Sequence, residues 1–187
     1  MTEKEATRTS KFLSLVLRHE PERIRLKLDA AGWVEVEELL QAIQRQGNPL
    51  TLEQLKHIVD TNQKKRFAFS EDGRRIRASQ GHSVEVDLEY APEVPPERLY
   101  HGTATRFLDS IRQNGLKKMQ RHDVHLSPEG KLGEQVGGRH GKPVVLVVRA
   151  GEMHRAGHVF RRSANGVWLV KQVPPEFIDF PAADKYV

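Results

Sequence analysis

The sequence predicts an α+β protein of two lobes, and three observations carry that prediction. Apolar residues recur at helical spacing through the first half of the chain, where a single basic hairpin follows them. Tyr90 to Glu97 holds three prolines in eight residues, a composition that favours extended, semi-rigid backbone. Beyond it come short, β-branched runs with few helices, the pattern of a split antiparallel sheet around a cleft. We place the first lobe at residues 1–90, a linker at 91–97 and the second lobe at 98–187.

In residues 10–19, Phe12, Leu13, Leu15, Val16 and Leu17 suit a buried helix with Ser10 as its N-cap. Pro21 stops it just after Arg18-His19. Ile24, Leu26 and Leu28 alternate with cations and predict a short strand. Asp29 to Gly32 is a turn, and Trp33 to Val36 a second extended piece. Residues 36–46 predict a helix closed by Gly47, and Thr51-Leu-Glu-Gln54 is a capping box opening another helix through Asp60. Arg66 to Ser70 and Arg74 to Arg77, joined through Gly73, form a β-hairpin. Helices followed by a basic hairpin make a winged-helix-like order, an arrangement often used to dock nucleic acid.

In the second lobe Arg98 to His101 predicts a strand, and Ala104 to Asn114 a helix ended by Gly115. Val124 to Ser127 is a strand, Glu129 to Val136 a short helix before Gly137-Gly138, and Pro143 to Val148 a buried strand. Asn165-Gly166 marks a turn into a strand over Val167 to Val170.

Composition narrows the function. The 187 residues contain no cysteine, which excludes disulfides, thiol catalysis and cysteine-based metal sites. No apolar run approaches the roughly 20 residues that span a bilayer, and Met1 to Ala6 lacks the apolar stretch of a signal peptide. We therefore expect a soluble, cytoplasmic protein. Of the net charge of +5, residues 1–90 contribute nothing (15 Lys/Arg against 15 Asp/Glu) and residues 91–187 all of it (15 against 10). The first lobe is nevertheless segregated, with six cations in Lys64-Lys65-Arg66 and Arg74-Arg75-Ile76-Arg77. Such a face serves either as a solvated surface or as a seat for RNA or DNA.

Several residues could carry chemistry. Arg18-His19 at a helix end either compensates the helix dipole or offers a guanidinium fork and an imidazole to a phosphate. Arg66 opens the hairpin, and Arg121 lies in Met119-Gln-Arg-His-Asp123. His101-Gly102-Thr103 sits where a strand is expected to meet a helix. A glycine there admits a ligand close to the backbone, and its neighbours can hold ribose hydroxyls. Val124-His125-Leu126-Ser127 and Asn165-Gly-Val-Trp-Leu169 follow it.

Taken together with Ser10 to His19, Gly32-Trp-Val34, Lys65-Arg-Phe67, Tyr100 to Thr103 and Arg139-His-Gly-Lys142, these stretches closely resemble the RNA 2′-phosphotransferase family, the KptA proteins. The resemblance covers nearly the whole chain. It implies a winged-helix-like lobe that handles RNA and a second lobe of the ADP-ribosyltransferase fold that handles NAD. It also implies that Arg18, His19, Arg66 and Arg121 are catalytic. His101, Gly102, Thr103, His125 and Ser127 would contact NAD, and Ser110, Ile111, Gly115 and Leu116 would lie on its adenine side. NAD is then a co-substrate, no metal is required, and the partner is a tRNA-like RNA with an internal 2′-phosphate, as in tRNA splicing. The working form is expected to be a monomer.

The implied reaction has two steps. The RNA 2′-phosphate attacks C1″ of the nicotinamide ribose, nicotinamide leaves, and RNA-2′-phospho-ADP-ribose forms. The ribose O2″ then attacks phosphorus, releasing 2′-OH RNA and ADP-ribose 1″,2″-cyclic phosphate. Arginines suit both steps because they stay protonated. The late acids Glu152, Glu176, Asp179 and Asp184 all fall outside Asn165–Leu169. That fits a phosphate nucleophile, which is already an anion and needs no base.

Alternatives stand beside this reading. The lobes could ADP-ribosylate terminal phosphates of nucleic acid, or bind nucleic acid without turnover. His122-x-x-His125 and His154-x-x-x-His158 have spacings found in zinc sites, although on a strand the first pair would point to opposite faces.

Overall fold

The computed structural model describes residues 1–119, 121–130 and 142–181. The chain divides into two compact units, Met1–Glu89 and Tyr90–Val187.

The first unit opens on α1, Glu3–Arg18, seven residues earlier than the apolar pattern indicates. Thr2, not Ser10, is the N-cap: its hydroxyl accepts from the Glu5 amide at 3.2 Å while the Glu5 carboxylate accepts from the Thr2 amide at 2.8 Å. The polar stretch before Ser10 is thus held in the helix by its cap and not by burial. Ser10 lies within α1, where its hydroxyl accepts from Asn62 Nδ2 at 3.0 Å. Leu13, Val16 and Leu17 form the fully buried stripe of α1.

Pro21 ends the helical path as expected but starts a 3₁₀ turn, Pro21–Ile24, so the strand predicted over Ile24 to Leu28 does not form. Arg25 turns left-handed at φ 58°, and the Leu26 amide bonds back to the Pro21 carbonyl at 2.9 Å. Ile24 and Leu26 are still buried, so a turn has produced the alternation that we read as a strand.

Next come β1 (Val34–Glu35), α2 (Val36–Arg45) and α3 (Leu52–Thr61). The Thr51 capping box with Gln54 is present. The hairpin is β2 (Phe67–Phe69) and β3 (Arg75–Ala78), turned by Gly73 at φ 70°. The strands run antiparallel in the order β1-β3-β2, with Val34 and Phe69 both opposite Ile76. In the turn, Asp72 accepts from the Ser70 hydroxyl and the Arg74 amide, and these bonds hold its carboxyl below the usual carboxylate range. Leu13, Leu17, Leu39, Leu55, Phe67 and Ile76 centre the core of this unit.

The second unit is carried by antiparallel strands. β4 (Leu99–Ala104) pairs residue for residue with a long central strand, β7 (Pro143–Val148), whose other edge takes β11 (Ile178–Asp179). A second sheet has the order β6 (Val124–Leu126), β9 (Trp168–Val170), β8 (Arg161–Arg162). A third pairs β5 (Leu116–Lys117) with β10 (Gln172–Val173). The described residues of this unit also form two α-helices, α4 (Leu108–Asn114) and α5 (Ala150–Arg155).

β4 runs farther than the sequence indicates. His101-Gly102-Thr103 is strand throughout, and a 3₁₀ turn, Thr105–Phe107, separates it from α4. The reason is the partner: every residue from Leu99 to Ala104 has a register mate on β7, and that ladder outweighs a local preference of Gly102 for a turn. The helix predicted over Glu129 to Val136, the glycines Gly137-Gly138 and Arg139 to Gly141 lie wholly or mostly outside the described residues.

The proline-rich run is bonded along the second unit. The Glu93 amide donates to the Phe160 carbonyl at 2.8 Å, and the Glu97 carboxylate takes two bonds from Arg155 at 2.8 and 3.1 Å. Among the described residues no helix is long and apolar enough to cross a membrane.

Candidate functional site

In the first unit, the elements bring Arg18, His19 and Arg66 to one loop. That loop is Ser79 to Val84, directly after β3. Its Ser83 and Val84 amides donate to the Arg18 carbonyl at 2.9 and 3.3 Å. Its Ser83 hydroxyl meets His19 Nδ1 at 2.8 Å. At its start the Ser79 amide donates to the Arg66 carbonyl at 2.8 Å. Gly81 has φ +87°, and a Cβ there would sit 3.5 Å from the Arg18 guanidinium carbon, so the side chain of Arg18 lies along bare backbone.

Asn62 organises the approach to Arg66. It caps α3, accepts from the Arg66 amide at 3.3 Å through Oδ1, and donates through Nδ2 to Ser10 of α1. Lys65, between them, is left-handed at φ 46°. Backbone outliers of this kind collect at functional sites. Arg18 and His19, expected to grip a phosphate, and the backbone of Arg66 are therefore tied to the same loop, with Asn62 as a second anchor for Arg66. Sequence reasoning missed Asn62 and the Ser79–Ser83 segment. The signal was available: Gln80-Gly81-His82-Ser83 interrupts a strand pattern with a glycine and small polar residues.

In the second unit, β4 and β6 meet. Tyr100 and Ser127 exchange both backbone bonds at 2.8 Å, which sets Ser127 beside the start of the His101-Gly102-Thr103 run. The Ser127 hydroxyl accepts from the Glu129 amide at 3.1 Å. His101 Nδ1 is 3.0 Å from the His125 carbonyl. A carbonyl only accepts, so Nδ1 carries the hydrogen, and in the neutral ring Nε2 is an acceptor. Burial holds the His101 pKa below the ordinary imidazole range; the bond to His125 opposes that shift and the charge of Arg121 adds to it. Gly102, next to it, is exposed, and Thr103 is buried.

Arg121 joins this group through Nη1, 3.3 Å from His125 Nδ1. A guanidinium only donates, so His125 Nδ1 accepts. His125 thus meets Arg121 with its ring and His101 with its carbonyl. The remaining expected contacts are placed differently. Ser110 is exposed on α4, whereas Ile111 and Leu116 belong to the core of the unit. Gly115 ends α4 at φ 72° with a Cβ position 2.1 Å from the Val173 carbonyl oxygen.

His154 is exposed on α5, while His158 lies edge-on to the Phe177 ring at 5.7 Å. Among the described residues no group of three or more His, Asp or Glu is arranged to hold a metal ion. Two of the late acids, Glu152 and Asp179, pair with Arg149 at 2.8 and 3.3 Å.

The state of His101 has a measurable consequence. Its folded pKa lies below the 6.5 of a free imidazole, so the unfolded chain binds the proton more readily. Its stabilising contribution is complete above pH 6.5 and declines as the pH falls toward the folded pKa. Thermal melts of the native protein between pH 7.5 and 5 are expected to fall more steeply than those of His101→Gln. Parallel curves would refute the assignment.

The family model described as "RNA 2′-phosphotransferase, Tpt1 / KptA family" matches residues 4–172. A probable RNA 2′-phosphotransferase of Streptomyces coelicolor is 53% identical over 182 residues, spanning 97% of this chain and 99% of its own. That of Burkholderia lata is 55% identical over 175 residues, 93% of this chain and 90% of its own. That of Flavobacterium johnsoniae is 52% identical over 180 residues, 96% and 99%.

Proposed function

The chain belongs to the RNA 2′-phosphotransferase, Tpt1 / KptA family, transferases that remove a 2′-phosphate from RNA, and we propose that it passes the phosphate to NAD. The observation that supports NAD is His101. A neutral imidazole with an acceptor nitrogen, beside the exposed backbone of Gly102, suits a ribose hydroxyl and leaves space for a ligand. Thr103, Ser127 and His125 complete that contact set, with Ser110, Ile111, Gly115 and Leu116 on the adenine side. In this reading the second unit is the ADP-ribosyltransferase-type lobe. The first, with its helices and basic hairpin, is the winged-helix-like lobe for a tRNA-like RNA.

NAD, when bound, supplies a ribose carbon whose leaving group is nicotinamide, together with a neighbouring hydroxyl. The chain supplies the rest. Arg18 and His19 hold the 2′-phosphate, the guanidinium by two parallel bonds to its oxygens. Arg66 and Arg121 neutralise the charge that concentrates on those oxygens as phosphorus changes partners. His19 donates the proton that the departing 2′-oxygen requires. None of these roles calls for a metal, because the permanently charged guanidinium groups do the electrostatic work.

The deciding experiment uses a short RNA with one internal 2′-phosphate, incubated with and without NAD and without added metal. The expected result is NAD-dependent conversion to 2′-OH RNA with release of ADP-ribose 1″,2″-cyclic phosphate. Accumulation of ADP-ribosylated RNA would identify an ADP-ribosyltransferase that stops half-way. Binding of RNA with no consumption of NAD would overturn the proposal.

A further inference from the structure

We infer that Ser83 is a positioning residue for His19, and so a determinant of phosphate transfer that acts through another side chain. The inference rests on the proposed role of His19. The Ser83 hydroxyl lies 2.8 Å from His19 Nδ1, and the Ser83 amide donates to the carbonyl of Arg18, the preceding residue, at 2.9 Å. One residue therefore grips both the ring of His19 and the backbone from which that ring projects. His19 is the exposed C-cap of α1, at the point where the helix stops supporting its side chain. A ring in that position is held by its contacts outside the helix, and the Ser83 hydroxyl is one of them.

A hydroxyl suits this task in both protonation states. To neutral His19 it donates into Nδ1, which places the ring hydrogen on Nε2. From charged His19 it accepts the Nδ1 hydrogen. In either state Nδ1 is committed to Ser83, so phosphate contact and proton donation fall to Nε2. The loop that carries Ser83 is itself well anchored. Ser79, Gln80 and His82 are all buried, the Ser79 amide bonds to Arg66, and Gly81 lies under the Arg18 guanidinium. The orientation of His19 is thus tied to the backbone that also locates both arginines, and positioning to within about 1 Å is worth up to 10²-fold in rate.

Ser83 is exposed, which leaves room for substitution. The test compares Ser83→Ala, Ser83→Thr and Ser83→Val in the full chain, each checked for native melting. Thr and Val have the same shape and differ by the hydroxyl. We expect Ser83→Ala and Ser83→Val to turn over 2′-phosphorylated RNA about tenfold more slowly in kcat with KM for RNA little changed, and Ser83→Thr to stay within about twofold of the native rate. In ¹⁵N-histidine spectra, the ring signals of His19, assigned through His19→Asn, should move in the Ala and Val proteins and return in Thr. Native-like turnover in Ala and Val, or equal losses in Thr and Val, would overturn the inference. So would a slowed enzyme whose His19 signals had not moved. Failure of the unaltered protein to dephosphorylate the RNA would be seen before any variant is made. It would overturn the functional proposal and, with it, this role.

Discussion

Arg18→Ala is expected to lower turnover of a 2′-phosphorylated RNA by about 10²–10³-fold, the usual cost of removing one preorganised donor from a site of developing charge. The structure gives two reasons to expect an effect of this size. The guanidinium lies against the bare backbone of Gly81, which fixes its plane, and the Arg18 carbonyl is held by two amides of the same loop. Those backbone bonds survive the substitution, so the loop should persist and the loss should be chemical. Arg18→Lys should recover little, because an ammonium cannot reproduce a two-pronged contact with phosphate oxygens. Single-turnover assays with saturating enzyme separate the outcomes. A loss confined to KM would make Arg18 a binding residue only, and a variant within threefold of the native rate would remove it from the site. Circular dichroism on the same samples guards against a trivial loss of fold.

Gly115→Ala is expected to cost about 3 kcal/mol of stability, the sum of a left-handed conformation forced on an L-residue and a close steric contact. The residue sits at φ 72° and ψ −167°, and the added Cβ would lie 2.1 Å from the Val173 carbonyl oxygen and 3.1 Å from Pro175 Cδ. Neither neighbour can step aside cheaply: Val173 is paired in β10 with Leu116, and Pro175 opens a 3₁₀ turn. A chain of this size loses about 2–4 °C of melting temperature per kcal/mol, so the expected fall is about 6–12 °C. Gly47, also with a positive φ but with nothing within 4 Å of its Cβ position, provides the control. Gly47→Ala should bear the conformational cost alone, about 1–2 kcal/mol. Equal losses at the two sites would show that crowding at Gly115 is relieved elsewhere. The result bears on function as well. A glycine expected to approach NAD is required at this position by the meeting of α4 with β10, so reduced activity in Gly115→Ala would not by itself identify a ligand contact.

Local rules made much of the first unit legible. The Thr51 capping box, the hairpin turned at Gly73, the helix closed near Gly47 and the stop at Pro21 each depend on residues within four positions of one another. The same rules failed where a different local solution was available. Thr2 and Glu5 extended α1 through a polar stretch, and Ile24 and Leu26 reached the core from a 3₁₀ turn. In the second unit β4 overran its expected end because β7 offered a ladder along its whole length. Pairing between residues some forty positions apart cannot be read from a window of ten. For the same reason β5, β8, β10 and β11, each of two residues, have no periodicity of their own to detect.

The site divides in the same way. The sequence alone determined which chemical groups are present: guanidinium groups at 18, 66 and 121, imidazoles at 19, 101 and 125, no thiol, and a glycine beside His101. The order of those motifs also determined the family, because a string of spaced residue types survives in the sequence whether or not the chain is folded. Only the tertiary structure decided what each group faces. It placed Ser83 on His19, Asn62 on Arg66 and His125 between Arg121 and His101. The bond to the His125 carbonyl settles where the imidazole hydrogen of His101 resides, and burial sets which way its pKa moves. Ionisation depends on burial and on the charges and dipoles within a few ångströms. In this protein those neighbours come from strands and loops far apart in the sequence.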